Sequence, residues 1–215
     1  MKRPVAFYML LIMASIFLFF FLNLVLGSVS IPLRAVWNIL WGTGNESVIW
    51  QNIIWKSRVP QALTALAAGA GLSVSGLQMQ TVFRNPLAGP SVLGISSGAS
   101  MGVAFVVLLS GSLGGVALSK LGFMGEIALT IAAIAGSLSI MALIVFVSQK
   151  VRGNVTLLII GVMIGYIANA VIGVLKFFSV EEDIRAYVIW GLGSFARVSG
   201  DQMTLFICIL SLIHI

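Results

Sequence analysis

The sequence predicts an all-α protein, a polytopic bundle of helices in a membrane. Of its 215 residues, 60% are hydrophobic and only 8% are charged, whereas a soluble domain has about 25% charged residues. Its mean hydropathy is +1.12. The apolar runs are continuous and about 20 residues long, the length that crosses a bilayer as a helix. A membrane β-barrel would instead show alternating segments of about 10 residues.

The apolar runs and the breaks between them predict six membrane helices. They cover residues 5–26, 60–82, 91–110, 127–147, 155–175 and 202–215. The first run is longer than the ~7–15-residue apolar core of a signal peptide, so we expect it to be retained as a helix. At ~1.5 Å per residue the last run falls short of the ~30 Å hydrocarbon core. We therefore expect residues 1–215 to be the N-terminal part of a longer domain that is truncated in its sixth helix.

The distribution of charge predicts a cytoplasmic N-terminus. Lys2 and Arg3 precede the first apolar run, and short inner loops carry Lys or Arg in most membrane proteins. With that orientation, the inner segments hold basic residues and no acid: Lys2, Arg3, Arg84, Lys150 and Arg152. All six acidic residues then fall on outer segments. The outer segments also hold seven basic residues, so Lys and Arg counts alone do not fix the orientation.

Residues 27–57 are predicted to form an outer segment that lies along the membrane surface. Ser30 and Pro32 are typical of the start of a short helix. The residues that follow give an apolar, tryptophan-rich face: Leu33, Val36, Trp37, Leu40 and Trp41. Tryptophan favours the membrane–water interface. Stacking of these rings on a substrate is the alternative.

Two runs of small residues flank a polar turn between Arg58 and Gly102. The first run places Ala65, Gly69, Ser73 and Gly76 on one helical face, and the second places Gly94, Gly98 and Gly102 on another. Small residues on one face let helix backbones approach closely inside a bilayer. The pattern predicts that the second and third helices pack tightly as a hairpin.

The same stretch resembles a known family. The resemblance rests on Arg58-Val59-Pro60, Gly76-Leu77-Gln78-Met79-Gln80, Arg84-Asn85-Pro86-Leu87-Ala88 and Leu93-Gly94-Ile95-Ser96-Ser97-Gly98-Ala99, in this order and spacing. These motifs are similar to those of FecCD-type permease subunits of ABC importers for iron-siderophores, haem and cobalamin. Weaker similarity covers the whole chain. The residues Arg84, Asn85, Pro86, Leu87 and Ala88 are called the signature turn.

The resemblance implies a permease subunit in the bacterial cytoplasmic (inner) membrane. It implies a second copy of the permease, cytoplasmic ATPase subunits and a periplasmic or lipid-anchored solute-binding protein as partners. No cofactor is expected in this chain, because ATP and Mg²⁺ would bind to the partner ATPase. The segment that docks on the ATPase follows the sixth helix in the family and is not expected within these residues.

The fifth predicted helix carries a stripe of residues four apart: Gly161, Gly165, Asn169 and Gly173. One interpretation is a helix–helix seam with Asn169 hydrogen-bonded across it. The other is a face that lines a solute pathway, which is what the resemblance implies. The family's cytoplasmic gate precedes this helix, and Gly153, Asn154 and Val155 match its position.

Two basic residues, Lys56 and Arg58, stand at the outer start of the second helix. The resemblance implies that cations here meet acidic residues of the binding protein. Similar proteins often carry Arg-x-Pro-Arg, but this chain has Gln61 at the fourth position. Snorkelling of Arg58 at the interface is the alternative.

Several classes of function find no support in the residues. The five complete helices have no ionisable residue near their centres, which argues against a proton-coupled carrier. No Walker A pattern occurs, and one cysteine, Cys208, and one histidine, His214, exclude a disulfide and offer no metal-ligand spacing. We expect no catalytic and no metal-binding residue. An ion-gradient-driven secondary transporter and a non-transporting membrane scaffold are the alternatives to the importer, and the residues do not reveal which chelate is carried.

Overall fold

The computed structural model describes residues 5–112, 123–151, 153–198 and 200–211. Within these ranges the chain forms nine α-helices. They are α1 (Val5–Val25), α2 (Leu33–Trp41), α3 (Val48–Ile53), α4 (Val59–Phe83), α5 (Ile95–Ser112), α6 (Phe123–Ser148), α7 (Asn154–Phe178), α8 (Glu181–Gly191) and α9 (Gly200–Ser211). A π-helical turn over Ile54–Arg58 joins α3 to α4. The chain divides into two units, Met1–Gly71 with Ser194–Ile215, and Leu72–Gly193.

Four helical stretches are long and apolar enough to cross a membrane. They are Val5–Val25, the continuous stretch Val48–Phe83, Met124–Ser148 and Asn154–Phe178, while α5 contains a shorter apolar stretch, Ile95–Leu109. The predicted all-α, polytopic fold is thereby confirmed. The large apolar surface that these helices expose suits contact with lipid rather than water.

Several predicted boundaries need correction. The helix expected from residue 91 begins at Ile95, because Gly94 has φ +72° and its N–H bonds to the Ser91 carbonyl in a turn. The short outer helix begins at Leu33 with Pro32 as its N-cap, so Ser30 does not cap it. The helix expected over 202–215 begins at Gly200 and is described to Ser211; residues 212–215 lie outside the described ranges.

Helix α8 has no counterpart among the predicted helices. It follows α7 after a two-residue break and carries Glu181, Glu182 and Asp183 in its first turn. Acidic residues stabilise the positive end of a helix dipole. This acidic first turn is the signal that could have identified α8, but its short, weakly apolar sequence does not suggest a membrane span.

The first unit has a core where the end of α1 meets α2 and the start of α4. Its buried residues are Leu24, Ile31, Ala35, Val36, Ile39, Ile54 and Ala62. Ala35, Val36 and Ile39 lie on one side of α2 and hold that helix against the core. The position of α2 next to the end of α1 is therefore fixed by packing.

The tightest helix contact of the second unit joins α5 to α6. A Cβ atom at Gly98 would lie 2.7 Å from the Gly136 carbonyl oxygen, and one at Gly136 would lie 3.0 Å from Gly102 Cα. On α4, by contrast, a Cβ atom at Gly69 or Gly76 would meet no described atom within 4 Å. The predicted glycine seam is thus found on α5, but its partner is Gly136 of α6 and not Gly76 of α4, so the predicted partner is wrong.

Candidate functional site

The α7 stripe divides into a packed half and an open half. A Cβ atom at Gly161 would lie 2.8 Å from Leu93 Cα, and one at Gly165 would lie 3.4 Å from Ser97 Oγ. These two glycines therefore form a seam with residues at and before the start of α5. Asn169 and Gly173 are exposed, and a Cβ atom at Gly173 would meet no described atom within 4 Å.

Gly94 makes the packed half possible. Its φ of +72° lies in the left-handed region, which a residue with a Cβ atom adopts only at a cost. A Cβ atom at this position would also lie 2.8 Å from the Gly161 carbonyl oxygen and 3.0 Å from Gly165 N. Both the conformation and the space at Gly94 therefore require glycine.

An open cleft borders this seam. Its volume is about 180 Å³, and it is lined by Ser91, Val92, Gly94, Ser97, Val162, Gly165, Tyr166 and Asn169. Two serines and one asparagine give the cleft neutral hydrogen-bonding groups. The cleft continues the stripe from the packed glycines toward exposed Asn169, so Asn169 does not lie within a closed seam.

The signature turn is a helix-capping motif. Arg84 N–H donates to the Thr81 carbonyl and Asn85 N–H to the Gln80 carbonyl, at 3.3 and 3.1 Å. This pair of bonds is the Schellman arrangement that ends α4. Arg84 occupies the left-handed position with φ +48°, where glycine is usual.

The rest of the signature turn reverses the chain toward α5. Asn85 Oδ1 accepts a hydrogen bond of 2.9 Å from Leu87 N–H, an Asx turn. Ala88 is buried in a core cluster with Phe83 and Leu93, whereas Leu87 is 86% exposed. Pro86, which precedes Leu87, is also exposed. The turn thus presents Arg84, Pro86 and Leu87 outward while Ala88 fixes it to the unit.

The predicted gate residues lie at the start of α7. Gly153 is the N-cap with φ +115°, a conformation that favours glycine. Asn154 Nδ2 donates a hydrogen bond of 3.0 Å to the Val82 carbonyl oxygen at the end of α4. Val155 is exposed. The segment predicted to be the gate is therefore joined directly to the helix that precedes the signature turn.

Lys56 and Arg58 have different environments. Arg58 is only 5% exposed, and its Nη1 donates to the carbonyl oxygens of Leu24 and Val25 at 2.7 and 2.9 Å. Its Nη2 donates to the Val29 carbonyl. Lys56 is exposed. The sequence did not reveal that Arg58 caps the end of α1, because its acceptors lie about 30 residues away and are backbone atoms.

The helices and the cleft define a multi-pass membrane protein. Its four apolar helices, and the permeases that are its relatives as described in the next paragraph, indicate a location in the inner membrane. A profile of the FecCD transport family matches residues 14–215. The chain belongs to this family.

Two similar proteins are permease proteins of transport systems. The hemin transport system permease protein HmuU of Yersinia pestis is 33% identical over 197 residues, which cover 88% of this chain and 55% of that protein. The vitamin B12 import system permease protein BtuC of Photorhabdus laumondii is 34% identical over 206 residues, or 95% of this chain and 56% of that protein. The chain spans about half the length of the curated relatives it matches.

A solved structure shares the fold. It is an ABC transporter assigned to the metal-chelate type, in an inward-facing conformation, with a TM-score of 0.70 and 26% sequence identity. The match covers 92% of this chain and 56% of that chain. The resemblance read from the signature turn and the glycine motifs is confirmed.

Proposed function

We propose that this chain is the transmembrane permease subunit of an ATP-driven importer for a metal chelate, an iron-siderophore, haem or cobalamin. Membership of the FecCD transport family carries this proposal. The haem and vitamin B12 permeases among the relatives support the substrate class. ATP and Mg²⁺ would bind to separate ATPase subunits, so this chain is proposed to have no enzymatic activity of its own.

The exposed half of the α7 stripe is the proposed solute pathway. Asn169 and Gly173 are exposed, and the adjacent cleft offers the neutral polar groups of Ser91, Ser97, Tyr166 and Asn169 beside glycine and valine residues. Such a wall suits a bulky chelate, because its residues include two glycines, Gly94 and Gly165, and none of its lining residues carries a charge that would trap the solute. A second copy of the permease would supply the opposite wall.

The gate and the signature turn are proposed to face the cytoplasm together. Lys2 and Arg3 place the N-terminus inside by the positive-inside rule. Successive crossings by α1, α4, α5 and α6 then bring both the α4–α5 turn and the start of α7 to the inner side. The hydrogen bond from Asn154 to Val82 supports this arrangement, since it requires those two segments to share one side.

The outer end of α4 is the proposed docking point for the solute-binding protein. Lys56 is the exposed cation and would carry the contact with an acidic partner residue. Arg58 would contribute by holding the adjacent loop in place through its bonds to α1. An exposed pair is worth only ~0.2–1 kcal/mol, so the contact should be sensitive to salt.

Uptake by proteoliposomes tests the importer. The permease in its native full length is reconstituted with its ATPase and binding protein. Uptake of haem, of cobalamin and of a ferric siderophore is measured with ATP and, separately, with an imposed ion gradient. We expect uptake of one chelate that requires ATP. Uptake driven by the gradient alone would identify a secondary transporter instead, and no uptake under either condition would support a scaffold.

Substitutions on the open half of the stripe test the pathway. Gly173→Leu would project a large side chain into the proposed path without entering the seam, so assembly should persist while uptake is lost. Val174→Leu is the matched control, because Val174 is exposed on the next residue of the same helix. Normal uptake by assembled Gly173→Leu would exclude this face as the pathway.

A further inference from the structure

The outward side of α2 is apolar although α2 is not a membrane span. Leu33, Trp37 and Trp41 are 71%, 55% and 66% exposed, and the two indole rings lie 5.6 Å apart. Their spacing of four residues places all three on one helical face. This face is opposite the buried side of α2 that packs on the core of the first unit.

The position of α2 beside the end of α1 places this face near the surface of the bilayer. Helix α1 has 21 residues, about 32 Å at 1.5 Å per residue, so its end at Val25 lies near the limit of the hydrocarbon core. Leu24 shares a buried cluster with Ile31 and Val36. Arg58 also ties the loop after α1 in place through the Val25 and Val29 carbonyls. Helix α2 is therefore held at the membrane level where α1 ends.

The residues of this face are of the types found at the boundary between the membrane and water. Tryptophan is enriched where one side of the ring meets acyl chains and its N–H meets water or headgroups. Exposed Arg34 follows Leu33 on one edge of the face, where a guanidinium could bind lipid phosphate. On another side of α2, Asn38 Nδ2 donates to Glu46 Oε1 at 2.8 Å. The apolar surface of α2 is thus bordered by polar groups, as in helices that lie in a membrane interface.

We infer that the Leu33–Trp37–Trp41 face of α2 is an interfacial anchor that lies at the headgroup–acyl boundary of the lipid bilayer. Helix α2 packs through its buried side on the end of α1, which is apolar, largely exposed and long enough to span the membrane. This position at the end of a membrane span favours lipid over a soluble partner as the occupant. The anchor would fix the depth and tilt of the end of α1 and with it the loop that Arg58 caps.

Fluorescence quenching of the permease in vesicles tests the anchor. Phosphatidylcholine with bromine on the acyl chain near the headgroup quenches indoles at the interface, and acrylamide quenches indoles in water. Trp55 is also exposed and is replaced by Phe in every protein compared. In that background, the Trp37→Phe/Trp41→Phe double variant should lose most of the lipid-quenchable emission. Trp50→Phe is the control, because Trp50 packs against the core and is only partly exposed. Flotation with the vesicles verifies insertion of each variant.

Two results would overturn the inference. One is equal loss of lipid quenching in the double variant and in Trp50→Phe. The other is a double variant whose emission is still quenched by lipid but no longer by acrylamide, or which no longer binds the solute-binding protein or the chelate. Either outcome would assign the face to a soluble partner. Should the variants fail to insert, the Trp50→Phe/Trp55→Phe/Trp190→Phe variant decides, because Trp37 and Trp41 are its only tryptophans. Lipid brominated near the headgroup must quench it more than lipid brominated near the chain end.

Discussion

Asn154 and Val82, 72 residues apart in the chain, are joined by a hydrogen bond of 3.0 Å from a side-chain amide to a backbone carbonyl. The Schellman bonds at the end of α4 use the carbonyls of Gln80 and Thr81. The Val82 carbonyl belongs to the last turn of the helix, where such groups lack helical partners. Asn154 thus completes the cap of α4 from the first residue of α7, and links the signature turn to the predicted gate.

Removing this link should loosen the signature turn. Asn154→Ala deletes the donor, and a typical hydrogen bond contributes about 0.5–1.5 kcal/mol. We expect a loss of unfolding free energy in that range and faster hydrogen exchange at the amides of Asn85 and Leu87. Asn52→Ala, at an exposed position of α3, is the control. Unchanged exchange at the turn in Asn154→Ala would show that the bond does not constrain it.

Arg58 should be a strong determinant of stability in the first unit. Arg58→Ala would leave the Leu24 and Val25 carbonyls without their donor, at a cost of ~1–3 kcal/mol for a buried unsatisfied group. Arg58→Lys should recover only part of the loss, because an ammonium cannot reproduce the guanidinium fork. Unfolding in detergent measures both.

Lys56→Ala provides the comparison for Arg58. Lys56 is exposed, so its truncation should change stability by less than about 0.5 kcal/mol. The same variant should weaken association with the binding protein at low salt. Equal stability of Arg58→Ala and Lys56→Ala would contradict the capping role of Arg58.

The apolar spans and the signature turn could be predicted from sequence because both depend on local patterns. Continuous apolar runs identify spanning helices by length, and Asn85-Pro86 is a typical turn initiator. The left-handed Arg84 is different: glycine is the usual residue there, so composition gives no warning of it.

Partners across the fold could not be predicted in this way. Small-residue spacing indicates that the helix face with Gly98 and Gly102 packs closely on another helix. It does not indicate that this neighbour is Gly136 on α6 rather than Gly76 on α4. The neighbours of the stripe on α7 could not be predicted from residue spacing either. Uniform four-residue spacing gave no reason to expect that Gly161 and Gly165 pack while Asn169 and Gly173 stay exposed.

The glycine seam between α5 and α6 should tolerate no added methyl group. A Cβ atom at Gly136 would lie 3.0 Å from Gly102 Cα and closer still to the Gly98 carbonyl oxygen, so Gly136→Ala must push the helices apart. Overpacking costs about 1–3 kcal/mol. We expect a lower thermal unfolding temperature in detergent for this variant.

Gly173→Ala is the matched control for Gly136→Ala. A Cβ atom at Gly173 meets no described atom within 4 Å, and replacing glycine by alanine within a helix favours the helix by up to about 1 kcal/mol. Its unfolding temperature should be equal or higher. Equal destabilisation by the two substitutions would contradict the seam.

Tyr187 should make the stability of the second unit fall at alkaline pH. It lies on α8, outside the spanning helices, in a buried cluster with Val103 and Leu108. Burial raises the pKa of its phenol above the ordinary value of 10.0, opposed by a hydrogen bond with Ser100. The folded state therefore favours the neutral phenol. Its contribution to the free energy of unfolding is fully present below pH 10.

Above pH 10 the unfolded chain loses this proton first, so the unfolding free energy should decrease as the pH rises toward the folded-state pKa of Tyr187. Tyr187→Phe has no phenol to ionise and should show a shallower alkaline decline, measured by denaturant unfolding in detergent between neutral pH and pH values above 10. Val188→Leu, a substitution at an exposed residue of the same helix α8, is the control. If the two variants changed the alkaline profile by the same amount, the burial of Tyr187 would not be the cause.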